Sequence, residues 1–165
     1  MVRRLLVLGS PGSGKSTLAA RIASETGLPL INLDRIYWQP NWTKPEENAW
    51  LDRLVHELAR PAWIIDGNYG ATLSMRLSVA DAAIMLDYST MRCLVQACKR
   101  MLFERPRSEV APGCPERVSG TLLRYIWGFR KEQRPKLLRE LASFSGRQLR
   151  VTSPRDLRLV NDLML

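Results

Sequence analysis

The sequence predicts an α/β fold: a mainly parallel sheet with helices on both faces. Three observations carry this reading. Short apolar-rich runs at residues 5–8, 30–33, 62–65 and 82–86 alternate along the chain with stretches of helical spacing. None of these four runs alternates strictly between apolar and polar, as strands buried on both faces need not. The runs are followed by Gly9, Asp34, Asp66 and Asp87, which gathers polar residues at the carboxyl edge of the sheet, where such folds bind ligands.

Each element has its own local signal. Leu5 to Leu8 is bounded by Gly9, and Gly14 to Thr26 carries Leu18, Ala19, Ile22 and Ala23 in helical spacing until Gly27 and Pro29 stop it. Leu30 to Leu33 predicts a second strand with Asp34 at its carboxyl end. An aromatic loop follows with Tyr37, Trp38, Pro40 and Trp42. Thr43 and Glu46 then have the spacing of a capping box for a helix with Trp50, Leu51, Leu54, Val55 and Leu58 on its apolar face. Pro61 ends that helix. The third strand, Ala62 to Ile65, runs into Asp66-Gly67-Asn68, and after a helical turn at Leu73 to Leu77 the fourth, Ala82 to Leu86, runs into Asp87.

Thr90 to Phe103 again has helical spacing, whereas Pro106, Pro112, Gly113 and Pro115 break the stretch Arg105 to Glu116. Val118 to Leu141 reads as helix divided near Pro135. A last strand, Gln148 to Thr152, precedes Ser153-Pro154 as cap and first turn of a terminal helix.

Composition bounds the function. The chain has 165 residues, 45% of them apolar, which suits one compact domain over residues 1–165. No apolar run reaches the roughly 18 to 20 residues of a membrane span, and the N-terminus leads directly into a glycine-rich loop, so a soluble, cytoplasmic protein is expected. Cys93, Cys98 and Cys114 lack the paired spacing of a zinc site and read as reduced thiols, and His56, the sole histidine, lies in an amphipathic helix. A net charge of +9 and a pI near 10.1 favour polyanions, nucleotides and nucleic acids alike. The absence of a helix-turn-helix, zinc-finger or RNP pattern disfavours nucleic acid. The basic residues concentrate between Lys99 and Arg139.

The most informative segment is Gly9-Ser10-Pro11-Gly12-Ser13-Gly14-Lys15-Ser16, which fits G-x-x-x-x-G-K-[ST] between a predicted strand and a predicted helix. Its glycines allow successive backbone N–H groups to turn toward phosphate oxygens at the positive end of the helix. Lys15 is placed to neutralise β- and γ-phosphate charge, Ser16 to give its hydroxyl to Mg²⁺, and Thr17 to reach the α-phosphate. ATP with Mg²⁺ is therefore the expected ligand, on a P-loop NTPase fold.

Beyond this loop, the segments LDRIYWQPNW, WIIDGNY, ADAAIMLD and RPRSEVAPGCPER are similar to the nucleoside-monophosphate-kinase-like branch of P-loop kinases. Within it, the chain resembles the adenylate-kinase-related group known as DNA topology modulation proteins. The resemblance covers nearly the whole chain and implies a five-stranded sheet of order 2-3-1-4-5, an acceptor region at about 34–60 and a small lid at about 104–118. It implies that Asp66 helps hold Mg²⁺ through water, that Asp34 and Arg35 meet the phosphoryl acceptor, and that the loop Thr152 to Arg155 lies against adenine. Phosphoryl transfer also needs mobile cations around the moving group, for which Arg100, Arg105, Arg107 and Arg117 are candidates, with Arg130 and Arg134 behind them.

One departure bears on the acceptor. Adenylate kinases carry Asp-Gly-Phe-Pro-Arg where this chain has Asp66-Gly67-Asn68-Tyr69-Gly70, so the arginine that meets the acceptor monophosphate is missing. Arg76, from the following turn, is the candidate replacement. The expected function is a small Mg-dependent kinase that passes the γ-phosphoryl of ATP to a nucleotide or other small metabolite. A nucleotide-binding regulator that contacts nucleic acid through its basic surface is the alternative.

Overall fold

The computed structural model describes residues 1–103, 112–114 and 120–165. Five strands, β1 (Arg4–Gly9), β2 (Leu30–Asn32), β3 (Trp63–Asp66), β4 (Ala82–Leu86) and β5 (Arg147–Val151), form one sheet in the order β2-β3-β1-β4-β5. Every pairing is parallel. The eight α-helices among the described residues are α1 (Lys15–Thr26), α2 (Leu33–Tyr37), α3 (Glu47–Leu58), α4 (Leu73–Leu77), α5 (Thr90–Phe103), α6 (Gly120–Glu132), α7 (Arg134–Ala142) and α8 (Val160–Met164). The expected sheet order and helix-covered architecture are thus present.

The period of two along each strand divides the core into two layers. Leu6, Leu8, Ile65, Ala83 and Met85 face one side, where α3, α4 and α7 supply Trp50, Leu54, Leu73, Leu77, Leu137 and Leu141. Leu5, Val7, Ile64, Ile84 and Leu86 face the other, covered by Leu18, Ala19 and Ile22 of α1 and by Val160 and Leu163 of α8. Because β1 is central and buried on both faces, its carboxyl end is the most firmly held point of the sheet. The phosphate loop begins there. Register puts Val7 opposite Asp66 on β3, and Leu8 and Gly9 opposite Met85 and Leu86 on β4.

Two local expectations need correction. Asp34 does not end a strand: β2 stops at Asn32, whose side chain accepts the Asp34 N–H at 3.0 Å and caps α2, so Asp34 lies in that helix's first turn. The Thr43–Glu46 capping box does not form either. A helix capped at Thr43 would need Lys44 in helical geometry, which the following Pro45 disfavours. Instead the Thr43 hydroxyl donates to the Pro40 carbonyl at 3.0 Å, and α3 starts at Glu47. At the other end of the chain Ser153 does cap, in a reciprocal box with Asp156.

Asp87 joins three elements: Arg134 at the start of α7 donates to both its oxygens at 2.8 and 3.0 Å, and Arg150 of β5 donates at 2.7 Å. Burial raises the Asp87 pKa, but the hydrogen bonds and charges of the two arginines outweigh it and leave the carboxyl below its ordinary value. A carboxylate with a depressed folded-state pKa contributes stability that is complete above its ordinary pKa of about 4 and is lost as pH falls through the folded value. Asp87→Asn should therefore destabilise the chain by about 2 kcal/mol at pH 7, since it strands Arg134 and the half-exposed Arg150. Thermal unfolding of both proteins should show the gap closing below about pH 4.

Candidate functional site

The phosphate loop takes its shape from close backbone packing. Gly12 has φ +77°, and a Cβ there would collide with the Cys93 carbonyl of α5. Gly9 has φ +146°, and a Cβ there would lie 2.6 Å from the Leu86 carbonyl. Glycine is the residue that fits both positions. α1 opens on Gly14 with no side-chain cap and no acidic residue in its first turn, so no side chain of the helix competes with an anion for the first N–H groups. Lys15 reaches back over the loop, its Nζ 3.3 Å from the Ser10 carbonyl. Ser10 and Ser13 are buried within the loop.

This loop floors a cleft of about 1280 Å³. Its lining includes Arg92 and Arg100 of α5, Leu157, Asp34, Trp38, Trp42 and Tyr125 of α6. Arg92 is stacked on the Tyr88 ring at 4.7 Å. Lys15, Ser16, Thr17, Arg100 and Asp34 thus line one cavity. Arg155 and Arg35 are exposed and do not line it; Leu157 is the side chain that the turn after β5 contributes. Arg105, Arg107 and Arg117, and most of the 104–118 segment, lie outside the described residues.

Asp66 lies behind the cleft wall, buried, beside Val7 of β1. The Asn32 amide donates to its Oδ2 at 3.3 Å. Among the described residues no group of three or more His, Cys, Asp or Glu side chains forms a metal cage. The Ser16 hydroxyl, in the cleft, and the Asp66 carboxylate, behind its wall, are oxygen ligands of the kind Mg²⁺ takes, an ion held by few protein groups together with water and phosphate.

The turn after β3 differs most from expectation. Arg76 does not replace the missing acceptor arginine: its side chain is 0% exposed. Its guanidinium donates to the carbonyls of Thr72 (3.4 Å), Gly67 (3.0 Å), Asn68 and Tyr69 (2.9 Å). The turn it holds reaches in two directions. Asn68 accepts the Gly9 N–H at 3.0 Å and returns its own amide N–H to the Gly9 carbonyl at 2.8 Å. Tyr69, at φ 36°, donates its hydroxyl to Asp34 Oδ1 at 2.6 Å. Burial, then the Asp34 charge, pushes the Tyr69 phenol well above its ordinary pKa, so it remains a donor. Sequence reading did not single out Asn68, Tyr69 or the true role of Arg76. Asn68 and Tyr69 stood within WIIDGNY, but nothing local says that they contact residues dozens of positions away.

The aromatic loop serves two purposes. Tyr37 packs edge-on to Trp50 at 5.0 Å and close to Tyr69, covering the core. Trp38 and Trp42 face the cleft as an edge-to-face pair at 5.6 Å. Asn41 and Trp42 both have positive φ, 60° and 58°, in a turn closed by the Gln39–Thr43 bridge. The Asn41 N–H donates to the Gly113 carbonyl at 2.9 Å and the Cys114 thiol to the Gln39 carbonyl at 3.1 Å, so residues 112–114 rest on this loop.

Residues 5–50 match the family described as "ATPase family associated with various cellular activities (AAA)". Over 52 residues the chain is 42% identical to an adenylate kinase of Clavibacter michiganensis subsp. michiganensis (strain NCPPB 382), a stretch that is 32% of this chain and 26% of that protein. The match thus spans about a quarter of that relative's length. Among solved structures, the chain is similar to the shikimate kinase from Bacteroides thetaiotaomicron, with TM-score 0.58 and 16% identity over 100% of both chains. It is likewise similar to the shikimate kinase from Acinetobacter baumannii in complex with shikimate, with TM-score 0.60 and 15% identity over 99% of this chain and 91% of that one. The fold is that of the P-loop kinases, and its nucleotide loop is of the type that binds ATP. No helix among the described residues is long and apolar enough to cross a membrane.

Proposed function

We propose that this chain is a cytoplasmic, Mg-ATP-dependent kinase of the adenylate-kinase-related group that phosphorylates a hydroxyl of a small metabolite. The observation that carries the reading is the placement of Lys15 and Asp34 in one cleft, a phosphate cation and a carboxylate that can take a proton. The acceptor oxygen attacks the γ-phosphorus, the bond from γ-phosphorus to the β–γ bridging oxygen breaks, ADP leaves, and the hydroxyl proton passes to Asp34. Lys15 and the loop N–H groups hold the β- and γ-phosphates through the transfer, and Arg100 adds charge from the cleft wall. Ser16 and Asp66 are the residues that would hold Mg²⁺, which when bound neutralises phosphate charge. With Arg76 sealed behind the wall, the post-β3 turn offers no arginine to an acceptor monophosphate, which favours hydroxylated acceptors recognised by Asp34 and the Trp38–Trp42 pair.

A screen with γ-labelled ATP across nucleoside monophosphates, nucleosides and small hydroxylated metabolites tests this. Label transfer to one chemical class is the expected result. ATP binding without transfer to any class, together with DNA binding that weakens steeply with salt, would replace the kinase with a regulator on nucleic acid.

A further inference from the structure

We infer that Arg76 is a positioning residue for phosphoryl transfer. From behind the cleft it fixes the Gly67–Tyr69 turn and thereby sets the distance between the phosphate loop and the acceptor-side carboxylate. This inference rests on the kinase reading above.

Among the described residues Arg76 has no carboxylate partner, and its guanidinium bonds go to main-chain carbonyls. Burying a cation without a counter-ion costs several kcal/mol unless dipoles replace the lost water. Here they do, because the carbonyls of Gly67, Asn68 and Tyr69 converge on one guanidinium. Packing alone does not call for an arginine at this point, since Leu73 and Leu77 already anchor α4 in the core. Its planar fork directs donors on three separate nitrogens at these carbonyls, a spread that a lysine's single ammonium cannot match and an apolar side chain lacks. Burial lowers its pKa to about 10, against the opposing influence of Tyr69, so it is cationic at neutral pH.

What the fork holds explains its cost. The turn is bent through a left-handed Tyr69, a conformation uncommon for a residue other than glycine. On either side of that bend its two side chains grip the two ends of the transfer path. Asn68 makes a reciprocal pair of bonds to Gly9, the first residue of the phosphate loop, and Tyr69 holds Asp34. In-line transfer needs the reacting atoms about 3–3.5 Å apart, and a misplacement of about 1 Å costs about 100-fold in rate. Arg76 touches neither ligand yet governs that separation.

The test compares full-length wild type, Arg76→Lys and Asn68→Ala by thermal unfolding, ATP affinity, steady-state turnover with the acceptor from the screen, and amide hydrogen exchange. Arg76→Lys keeps the charge but cannot span the carbonyls; Asn68→Ala cuts one arm and leaves Arg76 in place. Expected for Arg76→Lys is a fall in kcat of about 100-fold with the KM for ATP within about threefold. Exchange at the Gly9 amide should speed up about tenfold or more while the β4 amides keep their protection. Asn68→Ala should reproduce the Gly9 effect and lower kcat about tenfold with little change in unfolding temperature. Unchanged kcat in both variants, or a loss that tracks a uniform rise of exchange across the sheet, would overturn the positioning role. If the wild type phosphorylates no acceptor, the kinase reading fails separately. Exchange at Gly9 then decides: selective acceleration in both variants supports the link from Arg76 to the phosphate loop, and its absence refutes it.

Discussion

Replacing Lys15 by alanine is expected to lower turnover by about 10³-fold, equivalent to about 4 kcal/mol of transition-state stabilisation, and to weaken ATP binding as well. The side chain is half-buried and donates to the Ser10 carbonyl within the loop itself, so its removal takes a cation from the phosphates without taking a contact from the core. The unfolding temperature should stay close to that of the wild type. Calorimetric titration with ATP, paired with the labelled-phosphate assay, reads both effects. Undiminished binding and turnover would mean that the cleft does not receive the nucleotide's phosphates.

Asp34→Asn should separate transfer from nucleotide binding. Asparagine can still accept the Tyr69 hydroxyl through its carbonyl oxygen, so the bond at 2.6 Å has a counterpart in the variant while the negative charge and the proton acceptor are lost. Because the phenol stays protonated, it occupies one carboxylate oxygen as donor and leaves the other for an acceptor hydroxyl. The expected result is a loss of kcat of about 10²- to 10³-fold with ATP affinity unchanged. Equal loss of ATP affinity would assign Asp34 to the nucleotide instead.

The parts of this molecule that were readable in advance are those whose cause is local. The apolar run before Gly9, the glycines and Lys15 lie within a dozen residues of one another, and strand, loop and helix follow in the structure as their spacing requires. Pro135 divides α6 from α7 near the expected place, at the boundary between Glu132 and Arg134. Local signals also mislead when two compete. Thr43 and Glu46 have the spacing of a capping box, but Pro45 between them bars the conformation it needs. Asn32 looks like an interruption in an apolar strand and is in fact the cap that ends it.

What could not be read in advance depends on residues brought together by the sheet. Asp87 meets Arg134 and Arg150, 47 and 63 positions further along, and Asn68 meets Gly9, 59 positions back. Arg76 was assigned to the acceptor because a free arginine after the Asp-Gly step has an obvious use. That its fork turns inward depends on carbonyl directions, which no sequence pattern encodes. Trp38 and Trp42 line the cleft beside a turn whose two left-handed residues, Asn41 and Trp42, carry no glycine to mark them in the sequence.

The central position of β1 also governs when the binding site comes into being during folding. β1 has no partner close to it in sequence: Arg4 pairs with Trp63 and Leu5 with Ala82, so its neighbours on either side arrive only after long crossovers. The cradle itself is closed by the Leu86 carbonyl against Gly9 and the Cys93 carbonyl against Gly12. On the ribosome, the glycine-rich motif is therefore made well before the residues that close it, and remains an unshaped stretch of chain until residue 93 has been made. Pairings this distant carry a high loop-closure cost and make for slow folding. A phosphate-bearing ligand of this cradle would thus meet the assembled sheet and would not serve as a template for it.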